Sequence, residues 1–224
     1  TLPADRTGIA MALTLYTYFR SSAAYRVRIA LGLKGMAAEP RFIHLVRNGG
    51  EQKSDTFRRI NPNATVPTLV TEDGTAIVQS LAILDYLEEI QPEPPLLPGT
   101  ALQRAQIRAA AQIIACDIHP VNNSRVGAYL KSEFGRSQED VIAWMHHWMR
   151  NGLMAYQAML PAGTRFSFGD SPTLADCCLV PQLYNLRRWN TPADGLDRLL
   201  AIEAACLAVP AFEAARPENQ PDSE

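Results

Sequence analysis

Leu13-Thr14-Leu15-Tyr16-Thr17-Tyr18 alternates with a period of two and is rich in β-forming side chains, which predicts a strand. After Ser21-Ser22 the period changes. Ala23, Val27, Ala30 and Leu31 recur at helical spacing, and Gly35 closes the pattern. Arg41 to Val46 reads as a second strand, so the opening unit is β-α-β, which favours parallel strands with a right-handed crossover. Val66 to Val70 and Thr75 to Val78 flank Glu72-Asp73-Gly74 and predict a hairpin. Gln79-Ser80 then opens a helix over Leu81 to Ile90, with Ala82, Ile83, Tyr86 and Leu87 on one face. The order β-α-β, then β-β-α, predicts a thioredoxin-like α+β domain.

Gln91-Pro92-Glu93-Pro94-Pro95-Leu96-Leu97-Pro98-Gly99 cannot be a continuous helix. Beyond it the pattern is almost wholly helical. Arg104 to Ile118 is amphipathic, His119-Pro120 is expected to break or kink it, and Val121 to Phe134 resumes it. Glu139 to Leu160 is a long helix whose Trp144 and Trp148, at i and i+4, are expected to pack in a core or an interface. Thr173-Leu174-Ala175-Asp176 is a capping-box variant starting a helix that reaches about Arg188. The expected organisation is residues 11–91 as the thioredoxin-like domain, 92–103 as a linker and 104–224 as an all-α domain.

Composition narrows the function classes. With 47% hydrophobic residues in 224, the chain can bury a sizeable core. A net charge of -2 argues against a nucleic-acid surface. Of the 21 basic residues only Lys34, Lys53 and Lys131 are lysine, leaving 18 arginines; planar recognition of carboxylates and plain codon bias both produce that excess. Cys116, Cys177, Cys178 and Cys206 form no CxxC, and their helical settings favour buried thiols over a disulfide scaffold. No apolar run is long enough to span a membrane, Thr1 to Ala10 matches no targeting pattern, and Met11 reads as a natural start, so the cytosol is the expected location.

Four constellations carry candidate chemistry. Ser21 and Ser22 sit where a strand enters a helix, whose N–H groups and dipole favour an anion; an ordinary N-cap serine has the same signature. Val66-Pro67 precedes a strand, where a cis bond would present backbone polar groups to a bound peptide and a strand-entry proline would not. Gln79-Ser80 repeats the strand-to-helix junction. His119-Pro120-Val121-Asn122-Asn123-Ser124-Arg125 gathers polar groups at a helix interruption, which serves equally as a kink or a ligand site. No metal-ligand spacing is present. Together they suggest a thioredoxin-like domain that binds a small peptide with anionic ends beside a helical domain.

Tyr18-Phe19-Arg20-Ser21-Ser22-Ala23-Ala24-Tyr25-Arg26-Val27-Arg28-Ile29-Ala30-Leu31 resembles the signature of the zeta-class glutathione transferases, in the maleylacetoacetate and maleylpyruvate isomerase family. Asn61-Pro62, Val66-Pro67-Thr68-Leu69, Gln79-Ser80-Leu81-Ala82-Ile83, Leu174 to Gln182 and Pro217 to Asp222 extend the resemblance in order. It implies a glutathione-dependent isomerase. The thiolate would add to the cis double bond of maleylacetoacetate, the bond would rotate, and elimination would give fumarylacetoacetate in tyrosine breakdown. Ser21 would hold the thiolate, assisted by Ser22, the Ala23 N–H and the helix dipole, which lowers a thiol pKa from about 8.5. Gln52 and the Val66 backbone, beside Pro67, would hold the cysteinyl-glycine part, and Gln79 and Ser80 the γ-glutamyl carboxylate. His119, Asn123, Ser124 and Arg125 would line the site, and Arg26 would belong to it. Arg20 and Arg188 would take the carboxylates of a diacid substrate, and the assembly would be a homodimer. The family's usual cysteine after the two serines is Ala23 here, which puts thiol-transfer side activities in doubt. A maleylpyruvate isomerase of gentisate breakdown, an α-haloacid transferase and a non-catalytic glutathione-binding module are the alternatives.

Overall fold

The computed structural model describes residues 12–224, so the readings made for Thr1 to Ala10 and for Met11 lie outside the described residues. The first part of the chain runs β1 (Thr14–Thr17), α1 (Ser22–Leu33), β2 (Glu39–Phe42), α2 (Asp55–Ile60), β3 (Thr68–Val70), β4 (Ala76–Val78) and α3 (Ser80–Ile90). The sheet order is β2-β1-β3-β4, with β1 and β2 parallel and the other pairs antiparallel. This is the thioredoxin-like arrangement.

The alternation in β1 sorts its side chains between two layers. Leu13 and Leu15 enter the main core with Ile83, Leu84 and Leu87 of α3. Tyr16 and Tyr18 join a smaller cluster with Phe57 of α2 and Val66, and the Tyr16 and Phe57 rings lie 5.6 Å apart. α1 is buried nearly all round, because α3 and two later helices, Leu174–Arg188 and Pro210–Ala214, pack against it. Gly35, at φ 63°, supplies the left-handed residue that ends it.

β2 departs from expectation: it spans Glu39–Phe42 rather than Arg41 to Val46. Its length is set by its partner. Register runs from Thr14↔Glu39 to Thr17↔Phe42, and the bond from Ile43 N–H to Thr17 O, 2.9 Å, is the last. α2 was not foreseen. Six residues are too few to show a helical period, although the Ser54 hydroxyl caps it by accepting from the Phe57 N–H at 3.3 Å.

The second part comprises α4 (Ala101–Gln112), a π-helical turn (Ile113–Ile118), α5 (His119–Val121), α6 (Ser124–Phe134), α7 (Gln138–Met159), α8 (Leu174–Arg188), α9 (Asp197–Leu207) and α10 (Pro210–Ala214). Pro120 does not break the helix where the sequence pattern predicts. The π-helical turn just before it bonds the His119 N–H to Ile114 O, so the widened backbone accommodates the proline and the helix runs on to Val121. The interruption comes at Asn122-Asn123 instead. Gly152 of α7 lets this widened turn come close, since a Cβ there would run into the Ile118 side chain.

One hydrophobic cluster runs through both parts, from Leu13 to Ala215. The proline-rich stretch is docked rather than loose: Leu96 and Leu97 are buried, and Leu96 O accepts the Leu174 N–H at 2.8 Å. Lys34 Nζ ties α1 to this stretch, meeting Glu88 at 2.7 Å and donating to Gln91 O and Pro94 O. Three of the four cysteines are buried as expected, but Cys116 is exposed, because it faces outward on the π-helical turn. The Trp144 and Trp148 rings lie 5.7 Å apart, tilted by 59°, at the surface between α6 and α7, with Trp148 37% exposed.

Candidate active site

A cavity of about 370 Å³ opens between the two parts of the fold. On one side lie the β1–α1 loop with Tyr18, Arg20, Ser21 and Ser22, the segment carrying Gln52 and Lys53, and Val66. On the other lie His119, Asn123, Ser124 and Arg125 around the helix interruption, and Gln182, Asn185 and Arg188 of α8.

Ser21 is the N-cap of α1 (φ −71°, ψ 111°), and its hydroxyl accepts from the Ala24 N–H at 3.2 Å. No acidic residue stands in the first turn, so the positive end of the helix dipole is unanswered by the chain itself. The Ser22 hydroxyl lies 3.2 Å from His119 Nδ1. Enclosure by protein, then the Arg26 and Arg125 cations, push the His119 pKa down to about 3, so the ring is neutral at physiological pH. Trp144 Nε1 donates to Val121 O at 2.8 Å and fixes the end of the helix that presents His119.

The charge around the cavity is one-sided. Arg20, Lys53, Arg58, Arg125 and Arg188 line it, and among the described residues no Asp or Glu does. In a chain of net charge -2 that is a local concentration of cations. Arg20 is aimed by Tyr18, whose hydroxyl accepts from its Nη2 at 2.8 Å and its Nε at 3.2 Å, and its guanidinium lies 5.0 Å over the Phe19 ring. Arg188 lies 5.8 Å from the centre of the Trp189 ring. Burial, then the neighbouring Arg20 cation, lowers its pKa.

Not every expected site residue lines the cavity. Ala23, Arg26, Pro67, Gln79 and Ser80 stand behind the wall or beside it. The Val66–Pro67 peptide bond is cis. Gln79 precedes α3 at φ 72°, a conformation that costs a non-glycine residue about 1–3 kcal/mol and that concentrates at functional positions. Arg26 is fully buried; its Nη1 donates to the Ser80 hydroxyl at 3.1 Å, and its Nε and Nη2 have no partner among the described residues. Burial lowers its pKa. It does not face the cavity; it bonds to Ser80, and its charge helps to keep His119 neutral.

Tyr18, Lys53, Arg58, Gln182 and Asn185 line the cavity without having been singled out. A signal existed for two of them. Gln182 and Asn185, at i and i+3, put two amides on one face of α8 among its buried apolar residues. Gln182 is buried, and neither its Nε2 nor its Oε1 has a partner among the described residues.

A thioredoxin-like sheet domain joined to a helical bundle, with hydroxyls at a helix N-terminus facing the cavity between them, is the glutathione transferase class of architecture. Residues 20–90 match the family model of the glutathione S-transferase N-terminal domain. The chain is 44% identical over 216 residues to a probable maleylacetoacetate isomerase of Vibrio cholerae serotype O1, covering 95% of this chain and 99% of that one. It superposes with TM-score 0.90 and 42% identity on a holo structure of maleyl pyruvate isomerase, a bacterial glutathione S-transferase in zeta class, covering 94% of this chain and 100% of that one. With TM-score 0.86 and 41% identity it also superposes on a maleylacetoacetate isomerase from Anaeromyxobacter dehalogenans 2CP-1 with glutathione bound in its active site, covering 96% and 99%. The chain belongs to the zeta-class glutathione transferases, in the maleylacetoacetate and maleylpyruvate isomerase family.

Proposed function

We propose that this chain is a glutathione-dependent cis–trans isomerase that converts maleylacetoacetate to fumarylacetoacetate. One observation carries the reading: among the described residues five cations and no carboxylate surround a cavity into which a helix N-terminus presents two serine hydroxyls. Such a site takes a ligand with several anionic groups.

The residues fit glutathione. Gln52 lines the cavity, and its Oε1 is buried without a partner among the described residues, an acceptor suited to a peptide N–H. Ser80, backed by the Arg26 cation, and Gln79 would hold the γ-glutamyl carboxylate, with the Val66 backbone on the cysteinyl-glycine part. When bound there, glutathione supplies a thiol nucleophile whose reversible addition makes the cis double bond a single bond free to rotate. Ser21 donates to the sulfur and, with the N-terminus of α1, favours its anionic form. Ser22 is oriented by its hydrogen bond with neutral His119. Arg20 and Arg188 bind the carboxylates of the diacid and stabilise negative charge that develops on its oxygens.

Maleylpyruvate is the second reading, because likeness to a maleyl pyruvate isomerase is as high as likeness to the maleylacetoacetate isomerases. A homodimer completes the proposal; the free, buried Cys177 and Cys178 suit the reducing cytoplasm. The test is the isomerisation rate of each diacid with and without glutathione. A glutathione-dependent rate favouring maleylacetoacetate supports the first reading, faster turnover of maleylpyruvate supports the second, and no rate on either removes both.

A further inference from the structure

The last residues of the chain return to the β1–α1 loop. The Phe19 N–H donates to Asp222 Oδ2 at 2.9 Å, across 203 positions of sequence. Arg28 of α1 holds the other side of the same peptide units. Its Nη2 donates to Phe19 O at 3.0 Å, its Nη1 to the Thr17 hydroxyl at 3.1 Å and to Tyr18 O at 3.4 Å, and its Nε to Ala215 O at 3.2 Å. The tail is itself braced on α10. Asn219 Nδ2 donates to Glu213 O at 2.7 Å, and Gln220 Nε2 to Ala214 O and Arg216 O, both at 2.9 Å.

These bonds close on the residues that precede the cavity. Arg20 and Ser21 follow Phe19 directly, and the Ser21 N–H bonds back to Tyr18 O at 3.0 Å. A second tail contact pairs Glu224 with Arg47 at 2.7 Å and places it 3.2 Å from His44 Nε2, but Arg47 and Glu224 are both exposed. Exposed pairs of that kind contribute little, whereas a carboxylate bonded to a backbone N–H beside a buried ring is a strong anchor.

We propose that Asp222 is a positioning residue: the C-terminal tail clasps the Phe19 peptide and thereby sets where Arg20 and Ser21 stand. The inference rests on the function proposed above. It assigns work to the Pro217 to Asp222 motif, which touches neither the cavity nor the reacting groups. Displacement of a reactive group by about 1 Å can cost on the order of a hundredfold in rate.

The experiment compares Asp222→Ala, Asp222→Asn and Glu224→Ala with the unaltered chain. It measures kcat and KM for the diacid, melting temperature, and amide hydrogen exchange over Tyr18 to Ser22. Asparagine keeps an acceptor oxygen for the Phe19 N–H; alanine does not. The expected result is a fall in kcat of about 10- to 100-fold for Asp222→Ala, with faster exchange at Phe19 by about tenfold. Asp222→Asn is expected to restore most of both, and Glu224→Ala to change neither. Unchanged kcat and exchange in Asp222→Ala would overturn the proposal. So would an asparagine variant as damaged as the alanine one with an equal loss of melting temperature, which would make the tail a plain element of the fold. If Asp222→Ala does not fold, Asp222→Glu decides, since it keeps the charge and shifts the acceptor by one methylene: unchanged kcat there overturns the clasp. If the unaltered chain isomerises neither diacid, the function reading fails by itself, and the exchange arm still tests the clasp.

Discussion

Two helices of this protein begin at a hydroxyl-bearing residue and end up in opposite conditions. α8 starts at Thr173 and carries its own anion: the buried Asp176 carboxylate accepts from the Thr173 N–H at 2.7 Å, the Thr173 hydroxyl at 2.9 Å and the Ser167 N–H at 2.9 Å. α1 starts at Ser21, has no acid in its first turn and opens on a cavity ringed by cations. The first N-terminus is complete within the chain. The second is completed by whatever anion the cavity takes. A hydroxyl cap alone therefore says little about function; whether an acid follows it in the first turn, and whether the start is buried, says more.

Substitution at the two caps should separate chemistry from stability. Ser21→Ala is expected to cost the most in rate, about 10²- to 10³-fold in kcat for isomerisation, the range for losing one donor to a developing anion. Its stability cost is that of a cap, about 1 kcal/mol. Asp176→Ala is expected to do the reverse. It leaves buried donors without an acceptor, each costing about 1–3 kcal/mol, for a total of roughly 3 kcal/mol or more. In a chain of this size that lowers the melting temperature by on the order of 6–12 °C, with kcat of the folded fraction little changed. Steady-state kinetics and thermal unfolding on both variants check the pair. A Ser21→Ala variant that unfolds yet keeps its rate would break the distinction.

The α8 cap was legible from four residues because capping is local. The thioredoxin-like order was legible for the same reason: period two gives way to period 3.6 at Ser21-Ser22 and again at Gln79-Ser80. The end of β2 was not legible, since its partner sets it. Nor was the π-helical turn, which answers to Pro120 and to the close approach of Gly152 together. Of the cavity, the Ser21 and His119 segments could be picked out from polarity at an element boundary. Arg58 and Lys53 could not, because only the tertiary fold brings them round to face α8. Arg26 was assigned to the site by resemblance, and the fold instead buries it behind Ser80.

His119 sharpens the comparison through pH. An unfolded imidazole titrates near about 6.5, whereas in the fold His119 is pushed down to about 3. As pH falls the unfolded chain takes up the proton first. The stability that neutral His119 contributes is therefore complete above about pH 6.5 and is lost progressively toward pH 3, at up to about 1.4 kcal/mol per pH unit. His119→Gln, which cannot take the proton, should flatten that part of the stability profile in denaturant titrations. It should leave the Ser21-dependent rate without a new ionisation near neutrality. An unaltered slope between pH 6 and 4 would show that another group carries it.

The smallest expected effect repeats the open-and-closed contrast in two adjacent arginines. Arg187 meets Glu203 through both Nη atoms, at 2.7 and 2.6 Å, while Arg188 lines the cavity with no carboxylate partner among the described residues. Lysine keeps the charge at either position but loses the planar fork that matches a carboxylate. Arg188→Lys should therefore raise KM for the diacid about tenfold, the equivalent of one two-point contact of about 1.4 kcal/mol, and leave unfolding unchanged. Arg187→Lys should leave KM alone and cost stability by about 1 kcal/mol, because its carboxylate is part of the fold. Equal effects of the two on KM would mean that the cavity's cations act as a diffuse field rather than as separate grips, and Arg188 would lose its assigned carboxylate.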